Sequence, residues 1–468
     1  MFFPAKRVHF VGIGGSGMSG IAEVLLNLRY EVSGSDTRLS TVTERLARLG
    51  ARIWEGHEAA HVQGAEAVVT SSAVRANNPE VVEAHRLQIP VIPRGEMLAE
   101  LMRLKFGIAV AGSHGKTTTT SMTASVLAAA NLDPTMVVGG RLNSLGTNAR
   151  LGKGDFMVVE SDESDRSFLH LAPILAVITS IDREHLDCYG SLEELCRAYA
   201  EFANKVPFYG ASIVCLDDEN VRAIVPSLRR RVVSYGMQPG ADLIAGEVVC
   251  GHFQSRFRLR HKERDLGLFE LRVPGRHNVW NATAAVAVAL ELKIDLETIR
   301  AALAEFGGVE RRFEARGIVD GVAVVDDYGH HPTEIRATLA AARDCGYRRV
   351  LAVFQPHRYT RTALLLDDFG PCFADANQVF VLDIYAAGET PIEGISAEAL
   401  VERMRAVTGR EFTHQPSGEE LLQELLAIVQ PGDVVLTLGA GNVWQLGDRL
   451  IELLRERSAK IQEVSSRA

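Results

Sequence analysis

A strand, a short glycine-bounded loop and a helix follow one another between residues 107 and 131. The apolar run Ile108 to Ala111 is rich in β-branched and small residues, as in a strand buried inside a sheet. From Thr117 onward the sequence is compatible with a helix, which the segment Asn131-Leu-Asp-Pro134 would stop. A buried strand that leads directly into a helix is typical of parallel α/β sheets, so this stretch restricts the chain to an α/β fold.

The loop between this strand and helix reads Gly112-Ser-His-Gly115-Lys116-Thr117. Its glycines let backbone N–H groups approach phosphate oxygens, and the helix N-terminus adds partial positive charge there. Lys116 would reach the outer phosphates of ATP, and the Thr117 hydroxyl would hold Mg²⁺. Val110 stands where such loops usually have a glycine, so the loop is a shortened variant; the alternative is an ordinary turn with a surface lysine. We predict an ATP site formed by seven consecutive residues: Gly112, Ser113, His114, Gly115, Lys116, Thr117 and Thr118.

Composition limits the kind of ligand and the compartment. The 468 residues suffice for two to four domains, and a hydrophobic content of 47% allows large cores. A net charge of −9 offers no general attraction for nucleic acid or an anionic membrane. The six cysteines show no metal-binding or disulfide pattern, and neither an export signal nor a membrane-spanning run is recognisable. We therefore expect a cytoplasmic protein with small-molecule partners.

Residues 7 to 36 form a second phosphate-binding pattern. Gly12, Gly14 and Gly17 match G-x-G-x-x-G between a strand and a helix, and Asp36 ends the next strand, where a ribose-binding acid would lie. Alone, this pattern indicates a nicotinamide dinucleotide site, although the glycines could merely pack the helix on its strand. Further strand-like runs near residues 67 and 90 predict a small Rossmann-like domain that ends near Leu104.

Acidic residues and a histidine follow two later strands. Glu160 ends the run Phe156-Met-Val-Val, and His185 follows the run from Ala172 to Ile181. Because the carboxyl ends of parallel strands line the ligand crevice, we predict that Thr117, Glu160 and His185 are metal ligands. They could otherwise be solvated loop residues. The roles of the neighbouring Asp162, Glu163 and Asp165 stay open.

A polar turn enters an Ala-rich helix at residues 274–281. Asn278 and Asn281 lie three apart, where their amides could read an adenine edge, although helix capping explains them equally well. A domain boundary is expected around residues 307–313. Four further strands, each followed by a polar or glycine loop, then predict a third, doubly wound domain.

Taken together, the motifs resemble those of the Mur ligases, in the family's order and over nearly the whole chain. The resemblance implies three α/β domains: a Rossmann-like UDP-sugar domain at 1–104, a central P-loop ATPase-type domain at 105–312, and a Rossmann-like, doubly wound amino-acid domain at 313–468. It rests on Gly112 to Thr118, Glu160 with Asp-Glu-Ser-Asp165, His185-Leu-Asp187, His277-Asn278 with Asn281, Asp326-Asp-Tyr328-Gly-His330-His-Pro332, and Gln355-Pro-His357-Arg358-Tyr-Thr-Arg361.

The resemblance also implies the reaction and the role of each residue. The closest branch uses ATP and Mg²⁺ to join L-alanine to UDP-N-acetylmuramate in peptidoglycan synthesis, as a monomer or homodimer. The UDP-sugar would lie at Gly14, Gly15, Ser16, Gly17, Asp36 and Ser71. Adenine would lie at His277, Asn278 and Asn281, the phosphates at Arg312, and the amino acid at Tyr328, His330, His357, Arg358 and Arg361. The residues that act in catalysis would be Lys116, His185, Arg312, His330, Arg358 and Arg361.

Two alternatives remain open at this point. One is a recycling ligase that joins a whole tripeptide to the same sugar, and the other is an NAD-dependent oxidoreductase or sensor built on Gly12 to Asp36. The chain also departs from several sister ligases, which carry a carbamylated lysine on the helix after the His185 motif. Residues 191–204 contain no lysine, so we assign no carbamate.

Overall fold

The N-terminal part of the chain alternates strands with helices. The protein is described by a computed structural model that covers residues 6–71, 73–138, 149–251 and 253–467, with Ser16 and residues 460–467 described by their backbone alone. Its elements are β1 (Arg7–Val11), α1 (Ser16–Asn27), β2 (Glu31–Asp36), α2 (Thr41–Arg48), β3 (Arg52–Glu55), a 3-10 helix (Ala59–Val62), β4 (Ala67–Thr70), α3 (Pro79–Arg86), β5 (Val91–Pro93) and α4 (Arg94–Met102).

These strands form a five-stranded sheet in the order β3-β2-β1-β4-β5, and all its pairings are parallel. The predicted βαβ unit at residues 7 to 36 is confirmed as β1-α1-β2. The prediction missed β3, because its sequence Arg-Ile-Trp-Glu begins and ends with a charged residue and forms no apolar run like those of β4 and β5. The strand order reverses direction between β1 and β4, which is where open α/β sheets bind ligands.

The central part begins with the predicted strand, loop and helix. Its elements are β6 (Phe106–Ala111), α5 (Lys116–Ala129), β7 (Thr135–Val137), β8 (Ala149–Arg150), β9 (Phe156–Glu160), a 3-10 helix (Ser167–His170), β10 (Leu175–Ile178), α6 (Leu186–Tyr189), α7 (Leu192–Ala203), β11 (Ala211–Cys215), α8 (Glu219–Ile224), a 3-10 helix (Val225–Ser227), β12 (Val232–Gly236), β13 (Leu243–Gly251), β14 (Gln254–His261), β15 (Arg264–Leu271), α9 (Arg276–Glu291) and α10 (Leu296–Glu305).

The central strands form a ten-stranded sheet in the order β15-β14-β13-β12-β11-β10-β6-β9-β7-β8. Strand β6 pairs in parallel with β10 on one side and with β9 on the other, so the carboxyl ends of all three meet at the phosphate loop. Helices α5 and α9 are buried around most of their circumference. A helix buried on all sides must be small or apolar all round, which accounts for their Thr- and Ala-rich sequences.

The C-terminal part forms a third sheet, in the order β16-β17-β21-β18-β19-β20. Only the edge strand β16 runs antiparallel to its neighbour; the other pairings are parallel, as predicted for a doubly wound domain. Its elements are β16 (Glu314–Val319), β17 (Val322–Asp327), α11 (Pro332–Asp344), β18 (Arg349–Phe354), α12 (Tyr359–Leu364), α13 (Phe369–Cys372), β19 (Gln378–Val381), α14 (Ala397–Thr408), β20 (Thr413–His414), α15 (Gly418–Ile428), β21 (Asp433–Leu438) and α16 (Trp444–Arg467).

The chain divides into two compact units. The first consists of Met1–Glu247, Phe257–Phe269 and Val279–Gly307, and the second of Val248–Arg256, Glu270–Asn278 and Gly308–Ala468. The N-terminal sheet and most of the central sheet thus share one unit, whereas the domain boundaries at residues 104 and 312 stay a prediction. None of the described helices combines the length and the apolar character that crossing a bilayer requires.

Within the first unit, α4 of the N-terminal part packs closely on the 3-10 helix Ser167–His170 of the central part. A Cβ atom on Gly95 would overlap the Cβ atom of Ser167. The backbone of α4 approaches the central part this closely because residue 95 has no side chain.

One buried carboxylate lies among histidines in the N-terminal part. Glu80 is fully buried; its carboxylate accepts a hydrogen bond from Ser35 Oγ at 2.6 Å and lies 2.7 Å from His61 Nδ1 and 3.1 Å from His57 Nδ1. Burial alone would raise the pKa of Glu80, but the nearby His9 ring and the hydrogen bonds with Ser35 and His61 lower it to about 2. The folded state therefore favours the ionised form of this group.

We expect Glu80→Gln to lower the free energy of unfolding by roughly 3 kcal/mol at pH 7. A carboxylate whose pKa is depressed stabilises the fold above its unfolded value of about 4.5, and this contribution disappears as the pH falls towards 2. Urea unfolding followed by circular dichroism at pH 7 and pH 3 measures the difference. It should shrink at pH 3, and Glu44→Gln, on the exposed face of α2, should change little at either pH. A deficit equal at both pH values would mean that Glu80 acts through packing alone.

Candidate active site

The predicted phosphate loop joins β6 to α5, and Gly115 is the N-cap of the helix. Gly112 and Gly115 have φ angles of 139° and 79°, in the region that L-residues rarely adopt. A Cβ atom on Gly115 would also overlap Asn281 Oδ1, which accepts a hydrogen bond from Thr119 Oγ1 at 3.1 Å. Beyond Gly115, the first turn of α5 presents N–H groups that have no acceptor inside the helix and are available to phosphate.

The segment after β10 fixes the shape of this loop. Ser113 N donates to Ser180 O at 2.9 Å, and His114 N donates to Ser180 Oγ at 3.0 Å. Ser113 Oγ accepts from Asp182 N at 2.8 Å, and His114 Nε2 lies 2.9 Å from Asp182 Oδ2. Two of the seven residues predicted to bind ATP thus use their backbone N–H groups to hold the loop, a role that the sequence did not reveal.

Lys116 is held by a buried carboxylate. Its Nζ atom donates to Glu163 Oε1 at 2.6 Å, and also to the carbonyl oxygens of Gly112 and Ser113. Burial would lower the pKa of Lys116, but the charge and hydrogen bond of Glu163, together with the charges of Glu184 and Glu160, outweigh burial and raise that pKa. Burial raises the pKa of Glu163 to about 7, against the effect of Lys116. The sequence had left the role of Glu163 open; its position in an acidic cluster after a buried strand was the available signal.

Two predicted metal ligands are in direct contact. Thr117 Oγ1 donates to Glu160 Oε1 at 2.8 Å. Glu160 is the last residue of β9, and its strand partner in β6 is Val110, two residues before the phosphate loop. A hydroxyl and a carboxylate beside a phosphate loop are ligands that Mg²⁺ accepts.

The third predicted ligand lies in a second cluster of possible ligands. Glu163, Glu184 and His185 offer ligand atoms that all lie within 4.8 Å of one another, and His185 Nε2 is 3.9 Å from Glu163 Oε1. Glu163 Oε2 is buried without a hydrogen-bond partner among the described residues. A buried carboxylate oxygen without a donor is costly, and a divalent cation would satisfy it. The donor set therefore fits a metal, and it includes Glu163 and Glu184, which the sequence analysis did not assign.

The turn predicted to read adenine begins α9. Asn278 Nδ2 donates to Pro274 O at 2.7 Å, and burial lowers the pKa of His277 to about 4, so that this histidine is neutral at pH 7. Asn281, one turn later, lies against the phosphate loop. Each amide thus has a structural contact, and both the adenine role and the capping alternative stay predictions.

The second unit brings together several residues that are predicted to bind the amino acid. The rings of Tyr328 and His330 lie 5.6 Å apart, as do those of His330 and His357. Arg361 Nη1 lies 3.0 Å from His357 Nδ1. Burial, His330 and the nearby arginines lower the pKa of His357 to about 3, so its neutral ring can accept this hydrogen bond. Arg358 is half exposed and lies 4.0 Å from Glu389, a residue that sequence reasoning missed.

Arg312, predicted to contact the ATP phosphates, lies at the edge of the same unit. Its guanidinium covers the Tyr328 ring at 5.3 Å and lies 3.5 Å from Glu334. The neighbouring Arg311 covers the same ring at 5.0 Å and pairs with buried Asp326 at 2.9 Å. Arg311 is thus a structural cation, whereas a third of the Arg312 side chain is exposed.

The N-terminal glycine loop precedes α1. Gly14 N donates to Asp36 Oδ2 at 2.8 Å, so the predicted ribose-binding acid also holds the loop. Gly15 is the N-cap of α1, without any side chain that caps the helix, and Gly17 lies in the first turn. Ser71 follows β4, in the neighbouring position of the sheet, and the side chain of Ser16 lies outside the described part of the structure. These residues therefore lie together at the carboxyl ends of neighbouring strands of the sheet.

Comparison with known proteins agrees with this architecture. Models of the Mur ligase family match in chain order: the catalytic domain at residues 7–106, the middle domain at 110–289 and the glutamate ligase domain at 311–441. A UDP-N-acetylmuramate--L-alanine ligase of Solibacter usitatus is 60% identical over 97% of both chains. A protein of the same name from Koribacter versatilis is 57% identical over 97% of this chain and 98% of the relative.

Among solved structures, the UDP-N-acetylmuramate-alanine ligase of Thermotoga maritima superimposes with a TM-score of 0.81. It is 29% identical, and the match covers 97% of this chain and 99% of that one. A murein peptide ligase of Psychrobacter arcticus, at 23% identity and a TM-score of 0.70, shares the fold. With family models matched across all three sheets and relatives matched over nearly their full length, the chain belongs to the Mur ligase family.

Proposed function

We infer that this chain joins L-alanine to the lactyl carboxylate of UDP-N-acetylmuramate, with conversion of ATP to ADP and phosphate, during peptidoglycan precursor synthesis. The observation that carries the inference is identity of 55–60% over nearly the full length of relatives that bear the corresponding name. Because ATP and UDP-sugars are cytoplasmic metabolites, we also propose a cytoplasmic location.

The reaction needs an activated carboxyl group, because a carboxylate is a poor electrophile. A lactyl carboxylate oxygen attacks the γ-phosphorus of ATP, ADP leaves, and an acyl phosphate forms. The amine of L-alanine then attacks the carbonyl carbon, inorganic phosphate leaves, and the amine loses a proton. Phosphoryl transfer of this kind depends on positioning and on neutralising charge, which the residues of the site can supply.

We propose the following roles in the ATP half of the reaction. Lys116 leaves Glu163 to neutralise the β- and γ-phosphate oxygens, and Arg312 contacts the same phosphates. The free N–H groups at the start of α5 bind phosphate oxygens. His277, Asn278 and Asn281 surround the adenine.

We also propose that the enzyme uses Mg²⁺, held by Thr117, Glu160 and His185 with the help of Glu163 and Glu184. The ion would neutralise charge on the transferred phosphate and bring it close to the carboxylate. The contact between Thr117 and Glu160 and the unpartnered Glu163 Oε2 support this assignment.

The remaining substrates lie on the N-terminal and C-terminal sheets in this proposal. The UDP-sugar lies at the glycine loop Gly14 to Gly17 with Asp36 and Ser71. L-Alanine lies at Tyr328, His330 and His357, with its carboxylate on Arg358 and Arg361. Arginine suits this task because its planar guanidinium binds both oxygens of a carboxylate.

We expect Glu160→Gln and His185→Ala each to raise the Mg²⁺ concentration needed for half-maximal activity by about tenfold, because each removes a metal ligand. Initial rates measured across a Mg²⁺ titration give the value, and Mn²⁺ binding followed by electron paramagnetic resonance gives the affinity directly. Glu201→Gln, an exposed carboxylate on α7, is the control. Mg²⁺ titrations unchanged from the parent protein would indicate that both are solvated loop residues and not metal ligands.

Phosphate release tests the proposed function itself. The purified protein is given ATP, Mg²⁺ and UDP-N-acetylmuramate with alanine, glycine or serine. We expect the fastest release with L-alanine and modest use of glycine, because one methyl group provides only about 1 to 3 kcal/mol of discrimination. UDP-N-acetylglucosamine lacks the lactyl carboxylate and should give no amino-acid-dependent phosphate. Faster release with the tripeptide L-alanyl-γ-D-glutamyl-meso-diaminopimelate than with alanine would instead identify a recycling ligase.

A further inference from the structure

Arg94 lies beside the glycine loop of the N-terminal sheet, although it is 77 residues away in sequence from Gly17. It is the first residue of α4. A Cβ atom on Gly17 would overlap Arg94 Nη1, so the guanidinium lies directly over the first turn of α1. The absence of a side chain at residue 17 thus creates the space that the guanidinium occupies.

This position places a guanidinium beside the positive end of a helix, and the carboxylate of Asp162 balances its charge from one side. The N-terminus of a helix carries partial positive charge, and a cation there is repelled. Helix α1 has no acidic residue in its first turn and no capping side chain. Arg94 Nη1 donates to none of the described residues, so its hydrogens are available. A guanidinium and free N–H groups that converge on one point are suited to a phosphate group.

Asp162 fixes the guanidinium in this position. Arg94 Nη2 donates to Asp162 Oδ2 at 2.5 Å, and Asp162 Oδ1 accepts from both N and Oγ of Ser164. The backbone of Arg94 is fixed as well, because Gly95 packs on Ser167 without an intervening side chain. Asp162 lies two residues after Glu160 and directly before Glu163, in the loop that holds Lys116. The ion pair therefore joins α4, beside the glycine loop, to the segment after β9 that contacts the ATP loop.

We propose that Arg94 binds the diphosphate of the UDP-sugar, and that Asp162 is a positioning residue that orients the Arg94 guanidinium for this contact. The proposal rests on the function inferred above and adds two residues that neither glycine pattern contains.

The UDP-sugar carries two kinds of anion, the diphosphate and the lactyl carboxylate. We assign Arg94 to the diphosphate because the guanidinium lies over Gly17, in the first turn of the helix at which the diphosphate is expected. The carboxylate must instead reach the γ-phosphate at the central loop. The two sources differ in one measurable way: UDP has the diphosphate and lacks the carboxylate.

The test is isothermal titration of UDP-N-acetylmuramate, UDP and ATP against the parent protein, Arg94→Met, Arg94→Lys and Asp162→Asn. We expect Arg94→Met to raise the Kd of UDP and of UDP-N-acetylmuramate by the same factor, about ten- to hundredfold, with the Kd of ATP unchanged. The increase in both Kd values should be smaller for Arg94→Lys, because a lysine keeps the positive charge but cannot bind two oxygens at once as a guanidinium does. Asp162→Asn should raise both Kd values two- to fivefold, since the guanidinium remains but is no longer held.

Steady-state kinetics distinguishes the loss of a substrate contact from a general loss of activity. In Arg94→Met the KM for UDP-N-acetylmuramate should rise with the Kd, while kcat changes less than about threefold. Arg86→Met, an exposed arginine paired with Glu83 on α3, is the matched control and should leave every constant unchanged.

Three results would overturn the proposal. Unchanged Kd values in Arg94→Met would remove Arg94 from the site. Weaker binding of UDP-N-acetylmuramate with normal binding of UDP would assign Arg94 to the carboxylate instead. An equal loss of ATP affinity would make the ion pair a structural element. Failure of the proposed function looks different, because the parent protein would then not bind UDP-N-acetylmuramate at all.

Discussion

Lys116→Ala should lower the rate of phosphate release by about a thousandfold or more, while the Kd of UDP-N-acetylmuramate stays within about twofold. A single preorganised charge at a developing phosphate charge is worth roughly 3 to 4 kcal/mol or more. The UDP-sugar lies on a different sheet in our proposal, so its binding should not depend on Lys116.

A loss of activity in Lys116→Ala has two possible causes, loss of the charge at the phosphates and unfolding, and a second variant separates them. The lysine neutralises Glu163, which is 2% exposed, and breaking a buried ion pair costs roughly 3 to 5 kcal/mol of stability. A loss of activity could then reflect unfolding. The double variant Lys116→Ala/Glu163→Gln replaces the isolated charge by a neutral amide, so its thermal unfolding temperature should return most of the way to that of the parent.

The turnover of the double variant Lys116→Ala/Glu163→Gln should stay as low as that of Lys116→Ala. Lys205→Ala, on a surface ion pair at the end of α7, is the control for the loss of a lysine and should be active and stable. Normal turnover in a folded Lys116→Ala protein would contradict the assignment of the nucleotide site. Recovery of turnover in the double variant would mean that the lysine matters only because it neutralises Glu163.

Arg361→Ala should separate the two halves of the reaction. If Arg361 binds the carboxylate of L-alanine, the substitution removes a charged contact worth roughly 1.5 to 3 kcal/mol, which lowers kcat/KM for alanine by about ten- to hundredfold. Most of the loss should appear in KM. Formation of the acyl phosphate needs ATP, metal and UDP-sugar but no amino acid, so it should largely survive.

Hydroxylamine reveals this difference, since it traps the acyl phosphate as a hydroxamate in the absence of alanine. The measurement is the hydroxamate yield beside alanine ligation for the parent and Arg361→Ala. Arg361→Lys should be intermediate, and Arg403→Ala, an exposed arginine of the same unit, should behave as the parent. If both products fall by one factor, Arg361 serves folding or closure and the amino-acid pocket is misplaced.

The sequence was sufficient to predict those parts of the fold and of the site whose residues are consecutive in the chain. The phosphate loop and the first βαβ unit were predicted because their glycines, apolar strands and helix starts are consecutive in the chain. The strands β3, β7 and β8 were missed, whereas β4 and β5, which are equally short, were predicted from their runs of β-branched residues.

The sequence was insufficient where function depends on packing. The Lys116–Glu163 pair joins residues 47 apart, and the Arg94–Asp162 pair joins residues 68 apart. Nothing in either local segment specifies its partner, because the partner is determined by how sheets and helices pack. For the same reason the sequence did not show that Asn281 lies against Gly115 of the phosphate loop.

Two glycines contact residues that are distant in sequence, and these contacts restrict how chimaeras of related enzymes can be built. Gly95 leaves space for Ser167, and Gly115 leaves space for Asn281. Each pair should therefore vary jointly among related sequences, with a bulkier residue at one position matched by a smaller one at the other. A chimaera that takes its first hundred residues from one homologue and the remainder from another will have to match position 95 with 167, and Arg94 with Asp162, before its parts fit together.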